Sequence, residues 1–179
     1  MDTIMNTTKL TSDTHKTIDE YINMLDEFSY EQIIQKPSNG GWSIGQVYIH
    51  LWMASKGFFY KNAEACKSNT NTFNSKSKNW IGYLVFLFGK MPTIKVKMPE
   101  KVAVEPRQPE SKEQLITKLN GVKSLFDQYV SLTESIDPKV KTKHPFLGFL
   151  NFEEWLTLCK IHFKHHKAQI NRIKKDLGI

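Results

Sequence analysis

Apolar residues recur at helical spacing along most of the chain, and polar stretches containing glycine or proline interrupt them. Ile18, Ile22 and Leu25 make one stripe and predict a first helix from about Asp13 to Phe28. Ser29 and Gln32 have the spacing of a capping box and open a short helical turn before Pro37. Residues 37–42 read as a turn, and a second capping box, Ser43 with Gln46, starts a long helix running to about Cys66. Residues 67–79 are polar, rich in Asn and Ser, and read as a mobile loop. The longest apolar run, Trp80 to Phe88, is about half of a membrane span. It is expected to be a buried helical element, with a membrane-facing hairpin as the alternative. Residues 91–110 hold four prolines and read as extended connecting chain. Ser111 with Gln114 caps a fourth segment, where Leu115, Leu119, Val122, Phe126 and Tyr129 repeat at helical spacing. After a turn near Pro138 and a loop at 144–150, Asn151 with Glu154 caps a last helix to about Asp176.

Four long helices, one long crossover and no alternation of strand with helix predict an all-α four-helix bundle. At 179 residues the chain makes one domain, 1–179, with about the first eleven residues expected to be mobile. A content of 40% hydrophobic and 12% aromatic residues supplies a core and excludes a disordered chain. The net charge is +7, yet of 25 basic residues only Arg107 and Arg172 are arginine. A nucleic-acid reader favours arginine for bidentate base contacts, so this basicity reads as solvated surface. Cys66 and Cys159 are too few for a disulfide framework and fit reduced thiols in the cytoplasm. The start, MDTIMNTTKLTSD, lacks a basic segment followed by an apolar stretch and is not a secretory signal. The expectation is a soluble cytoplasmic protein with neither nucleic acid nor membrane as partner.

The histidines change the picture. Three of the six lie in one stretch of the last helix, KIHFKHHKAQI (160–170). With Trp155 as zero and about 100° per residue, Cys159, His162, His166, Gln169, Ile170 and Ile173 fall within about 60° of it. Lys160, Lys164, Lys167 and Lys175 fall opposite and read as a solvated face, and His165 lies on the flank of the buried stripe. Two imidazoles at i and i+4 can converge on one divalent ion. As plain core residues they would be awkward, since each needs partners for both nitrogens and the two cannot both be charged. In the second helix His50 shares an apolar face with Val47, Leu51, Ala54 and Phe58. Three neutral imidazoles pointing into one core would leave coordination positions open for water or substrate.

WSIGQVYIHL (42–51) resembles the second-helix motif of the DinB/YfiT-like superfamily, and HFKHHKAQI (162–170) its C-terminal histidine motif. HPFLGFLNFEEW (144–155) is similar to the loop-and-helix entry of one uncharacterised branch. The likeness runs from about Ser12 to Lys175. It implies a four-helix bundle, often dimeric, with a nickel, zinc or iron-type ion held by His50, His162 and His166, and with His165 as a non-ligand. It also implies a thiol transferase using bacillithiol, mycothiol or glutathione, or a metal-dependent hydrolase. A non-catalytic metal- or ligand-binding dimer of this type is the remaining alternative.

Family members often carry an acidic residue about a turn after the first histidine, but no Asp or Glu occurs here between Ser43 and Asn62. Glu153 and Glu154 fall off the histidine face. A hydrolase needs a base for its water, whereas a thiol transferase needs less, so the enzymatic reading tilts towards thiol transfer onto an electrophilic small molecule. Gln169 is a candidate for orienting a ligand beside His166. Cys159 reads as a small core residue, His144 as a loop residue and His15 as a surface residue. Ile49, Trp52 and Met53 give the second helix another apolar face, and with the 80–88 segment they predict a homodimer.

Overall fold

The computed structural model describes residues 7–38, 40–92 and 105–179. Most of the proline-rich connection expected at 91–110 therefore lies outside the described residues, as do residues 1–6. Helix α1 spans Thr7–Met24 and passes into a 3₁₀ turn at Leu25–Glu27. It begins a turn and a half before the expected start, so residues 7–11 are helical. Leu10, Thr14 and Thr17 are buried ahead of Ile18. The two threonines satisfy their hydroxyls on the carbonyls of Leu10 and Asp13 at 2.7 Å, which lets polar residues extend the apolar stripe.

The expected caps form, as full capping boxes at Ser29, Ser43 and Asn151, and at Ser111 as a serine cap whose Gln114 accepts from Glu110 N instead. Ser29 and Gln32 cap α2 (Tyr30–Ile34), and Ser43 and Gln46 cap α3 (Ile44–Ala54). Helix α3 continues through a π-helical stretch, Ser55–Tyr60, into α4 (Lys61–Lys67). Helix α5 is Trp80–Phe88, α6 is Lys112–Val130 and α7 is Phe152–Leu177.

Ion pairs and hydrogen bonds give the helix directions. Lys160, Lys167 and Lys174 of α7 meet Asp13, Glu20 and Glu27 at 3.4, 2.8 and 2.7 Å. Both partner sets climb in steps of seven, so α1 and α7 run parallel. His15 meets Asp127 and Asp19 meets Lys123, one number rising as the other falls, so α1 and α6 run antiparallel. Trp52 with Lys118, Tyr60 with Val122 and Glu64 with Tyr129 rise together, so the α3–α4 helix and α6 are parallel. Residues 68–111 must then carry the chain back along the bundle. The lysine face expected to be solvated is thus partly a ladder against α1, because that parallel neighbour presents acids at matching heights.

The segment 141–151, expected to hold a loop, is a hairpin. Strand β1 (Lys141–His144) pairs antiparallel with β2 (Gly148–Asn151). Its turn is closed by the His144 ring, whose Nδ1 accepts from the amides of Phe146 and Leu147 at 3.1 and 3.2 Å. Four-residue strands leave too little alternation to read from sequence. The returning chain joins this hairpin through Phe73 N to Lys141 O, Phe149 N to Ser77 O and Asn79 N to Leu147 O.

Helix α5 rests on the same hairpin. Only Gly82 and Val85 of it are buried, so the expected buried element is half outside. Trp80, Tyr83, Leu84, Leu87 and Phe88 are exposed, because the contact is made through backbone at Gly82 and not through large side chains. The core lies between α1, α3–α4, α6 and α7, around Tyr21, Tyr48, Phe126, Trp155 and Phe163. The Tyr21 hydroxyl donates to Phe163 O and the Tyr48 hydroxyl to Tyr21 O, both at 2.7 Å. Trp155 Nε1 donates to Thr142 Oγ1 at 2.8 Å and ties the hairpin to α7. No helix among the described residues is long and apolar enough to cross a membrane.

A Cβ at Gly82 would stand 2.3 Å from the carbonyl oxygen of Leu147, which belongs to backbone and cannot step aside cheaply. Gly82→Ala is expected to lower stability by about 1–3 kcal/mol. Urea unfolding checks this, and an unchanged midpoint would show that α5 is not seated on the hairpin as described.

Candidate metal centre

His50 is on α3, seven residues after its capping serine, and His162 and His166 are one turn apart on α7. The two helices run antiparallel here, since His50 faces His162 while Ser55 faces Cys159. Nε2 of His162 lies 3.3 Å from Nε2 of His50 and 3.1 Å from Nε2 of His166. All three ligand atoms lie within 4.8 Å of one another. The structure thus brings together the three histidines singled out from sequence.

Burial holds all three neutral. It pushes His50 down to about 4, with His165 adding to the effect. Burial, then His50, pushes His166 down to about 3. Burial and then His166 take His162 well below the usual imidazole range. Gln169 Oε1 lies 2.7 Å from Nδ1 of His166. That acceptor places the ring proton on Nδ1 and leaves the Nε2 lone pair directed at the cluster. Nδ1 of His162 is buried without a hydrogen-bond partner among the described residues.

These donors fit a divalent transition ion. Two imidazole nitrogens bound at about 2.0–2.1 Å to one ion stand about 3.0–3.4 Å apart, which spans the two separations here. Neutral rings with lone pairs turned inward are the form in which histidine binds metal. No Asp or Glu joins the group among the described residues.

The walls are aromatic. The Trp42 ring is centred 5.0 Å from His50 and the Phe59 ring 5.1 Å from His162. Neither was expected. Trp42 directly precedes the Ser43 cap, a position where an apolar residue commonly packs back on its helix. Phe59 is brought in by the π-helical stretch, whose i→i+5 turn holds an extra residue and rephases the helix. A regular helix puts Phe58 on the His50 face, but Phe58 packs against Trp155 and His144 instead.

The other candidates fall outside the cluster. His165 is centred 5.1 Å from the His166 ring and is not among the converging groups. His144 is buried in the hairpin and pushed down to about 4 by that burial. Cys159 is fully enclosed beside Ser55, and burial pushes its thiol up to about 11, which makes it inert as a nucleophile. Glu154 caps α7 and pairs with Lys78. A separate groove of about 310 Å³, lined by Trp52, Met53, Arg107 and Lys118, does not include the histidines.

The sequence model of the DinB superfamily matches residues 13–170. The chain belongs to the DinB superfamily. Its fold is similar to that of YfiT from Bacillus subtilis, a probable metal-dependent hydrolase with an unusual four-helix bundle topology. That likeness has a TM-score of 0.61 at 16% identity and covers 99% of this chain and 92% of the other. No curated protein matches the chain. Within this DinB bundle both expected histidine motifs lie on the helices that face each other, which is why they meet.

Histidines held neutral when folded give a signed pH dependence. The unfolded chain takes up protons below about pH 6.5 and the native protein does not until much lower, so stability falls as pH falls. For chelator-treated protein the contribution of His50, His144, His162 and His166 is complete above about pH 6.5 and is lost towards pH 4 and below. Urea midpoints at pH 7.5, 6 and 5 should drop in order, over a range above most carboxylate titration. A flat profile to pH 5 would mean these rings are not held neutral.

Proposed function

We propose that the protein is a cytoplasmic, metal-dependent DinB-like enzyme whose ion, nickel, zinc or iron, is held by His50, His162 and His166. We further infer that it transfers a low-molecular-weight thiol of the bacillithiol or glutathione type to an electrophilic small molecule. One observation supports both halves of this reading: three inward Nε2 atoms with no carboxylate grouped with them among the described residues.

A divalent ion in such a set supplies Lewis acidity and stabilises a coordinated thiol as thiolate near neutral pH. Three neutral ligands leave its charge uncompensated, which favours an anionic fourth partner. Gln169 would keep His166 in the ligating tautomer, and Trp42 and Phe59 would shield the cluster from bulk water. The thiolate sulfur would form the new bond to the electrophilic carbon while the leaving group departs with the displaced electron pair. No carboxylate base would be required for that step, since a thiol held by such an ion would already have released its proton to solvent water.

Hydrolysis is the second reading, and the fold likeness to YfiT is what favours it. It asks for a base near an attacking water, and no carboxylate among the described residues is grouped with the three histidines.

The test uses untagged protein. Elemental analysis should find close to one transition ion per chain, and His166→Ala or His162→Ala should lose most of it with the helical circular dichroism retained. The loaded protein should conjugate glutathione or bacillithiol to a chlorodinitrobenzene-type electrophile faster than the His166→Ala variant by at least about a hundredfold. Metal content unchanged in the variants overturns the ligand set. Ester or amide hydrolysis without thiol conjugation overturns the transferase reading and leaves the metal site standing.

A further inference from the structure

Among the described residues, most large apolar side chains at the surface gather on α5. Trp80, Tyr83, Leu84, Leu87 and Phe88 are 71%, 55%, 43%, 75% and 67% exposed. Their spacing of three, four, seven and eight residues sets them on one stripe of the helix. Its other side holds Gly82 and Val85, buried against the hairpin. Phe146, 42% exposed, extends the stripe from the hairpin turn, where its carbonyl accepts from Asn79 Nδ2 at 2.9 Å. The helix is fixed at its start by the Asn79 cap and at its end by Gly89 in the left-handed region. The stripe is therefore presented by a built support.

Charge says what would cover it. No Asp or Glu occurs among the described residues of this face, 73–92 and 138–152. Lys76, Lys90, Lys139 and Lys143 are exposed on them. Lys78 is the exception: it pairs with Glu154 and lies over the Tyr83 and Phe86 rings. A second copy laid on the same stripe would set lysines against lysines. An anionic surface would meet them favourably, and Trp and Tyr beside short apolar residues suit the boundary between headgroups and acyl chains.

We propose that α5 and the hairpin turn form a docking surface for an anionic lipid bilayer, with the apolar stripe entering the interface and the lysines meeting the headgroups. A nine-residue helix is too short to span, so the protein rests on the membrane surface. This role is independent of the histidine cluster.

Co-sedimentation with vesicles of phosphatidylcholine alone, and of phosphatidylcholine with phosphatidylglycerol, tests it. Binding is expected to the anionic vesicles, to weaken with added salt, and to shift tryptophan emission to the blue in wild type but not in Trp80→Phe. Leu87→Glu replaces a residue already in solvent, so folding should be kept, and it should weaken binding by at least about tenfold. Absence of partitioning, or equal partitioning of Leu87→Glu, overturns the proposal. So does a dimer in sedimentation velocity without lipid that Leu87→Glu dissociates, which would assign the stripe to a second copy.

Discussion

The parallel pairing of α1 with α7 is the constraint from which most of this architecture follows. Their ladder of acids and lysines, repeating every seven residues, fixes both direction and height. With α6 antiparallel to α1, and α3 antiparallel to α7, the two middle helices must point the same way. Parallel neighbours cannot be joined by a tight turn, so a long return is unavoidable. Among the described residues, the loop at 68–79 and α5 belong to that return. Each pair in the ladder is partly exposed and is worth little singly. What the set contributes is register, because a slip of one turn would misalign every rung.

Register matters because the histidine cluster is assembled across helices. His50 comes from one helix and His162 with His166 from another, and their nitrogens approach to 3.1 and 3.3 Å only at the correct relative height. Burial removes the charge from each ring, and Gln169 settles which nitrogen of His166 faces inward. The bundle thus converts three ordinary side chains into a set of converging neutral donors.

Most of the bundle and the whole cluster were legible in sequence, for physical reasons that differ by element. Capping boxes at Ser29, Ser43 and Asn151 are local signals and set helix starts to the residue. The histidines were legible because polar rings stood out on apolar stripes. The early start of α1 was hidden by Thr14 and Thr17, whose hydroxyls are satisfied within the helix and so tolerate burial. The hairpin was hidden by its brevity, and its stability rests on partners more than sixty residues away. Extrapolating 3.6 residues per turn through a stretch that does not keep it puts Phe58 on the His50 face, where Phe59 is the ring that reaches the cluster. The exposure of α5 could not be read from composition, since an all-apolar helix says nothing about which partner is missing.

The π-helical stretch at Ser55–Tyr60 divides the second long helix into two halves with different duties. The half before it carries His50 towards α7, and the half after it is held to the hairpin, where Cys66 meets Thr142 and the carbonyl of Leu150. The additional residue works as a phase adjuster between them. Removing a single residue there would restore a regular helix and turn one half against the other by about 100°. With α4 anchored, the rotation would be taken by the histidine-bearing half, and His50 would swing out of the cluster without any ligand having been changed. The separation of the two phases also means that the hairpin end of the bundle can vary in sequence while the angle at which His50 enters the interior stays the same.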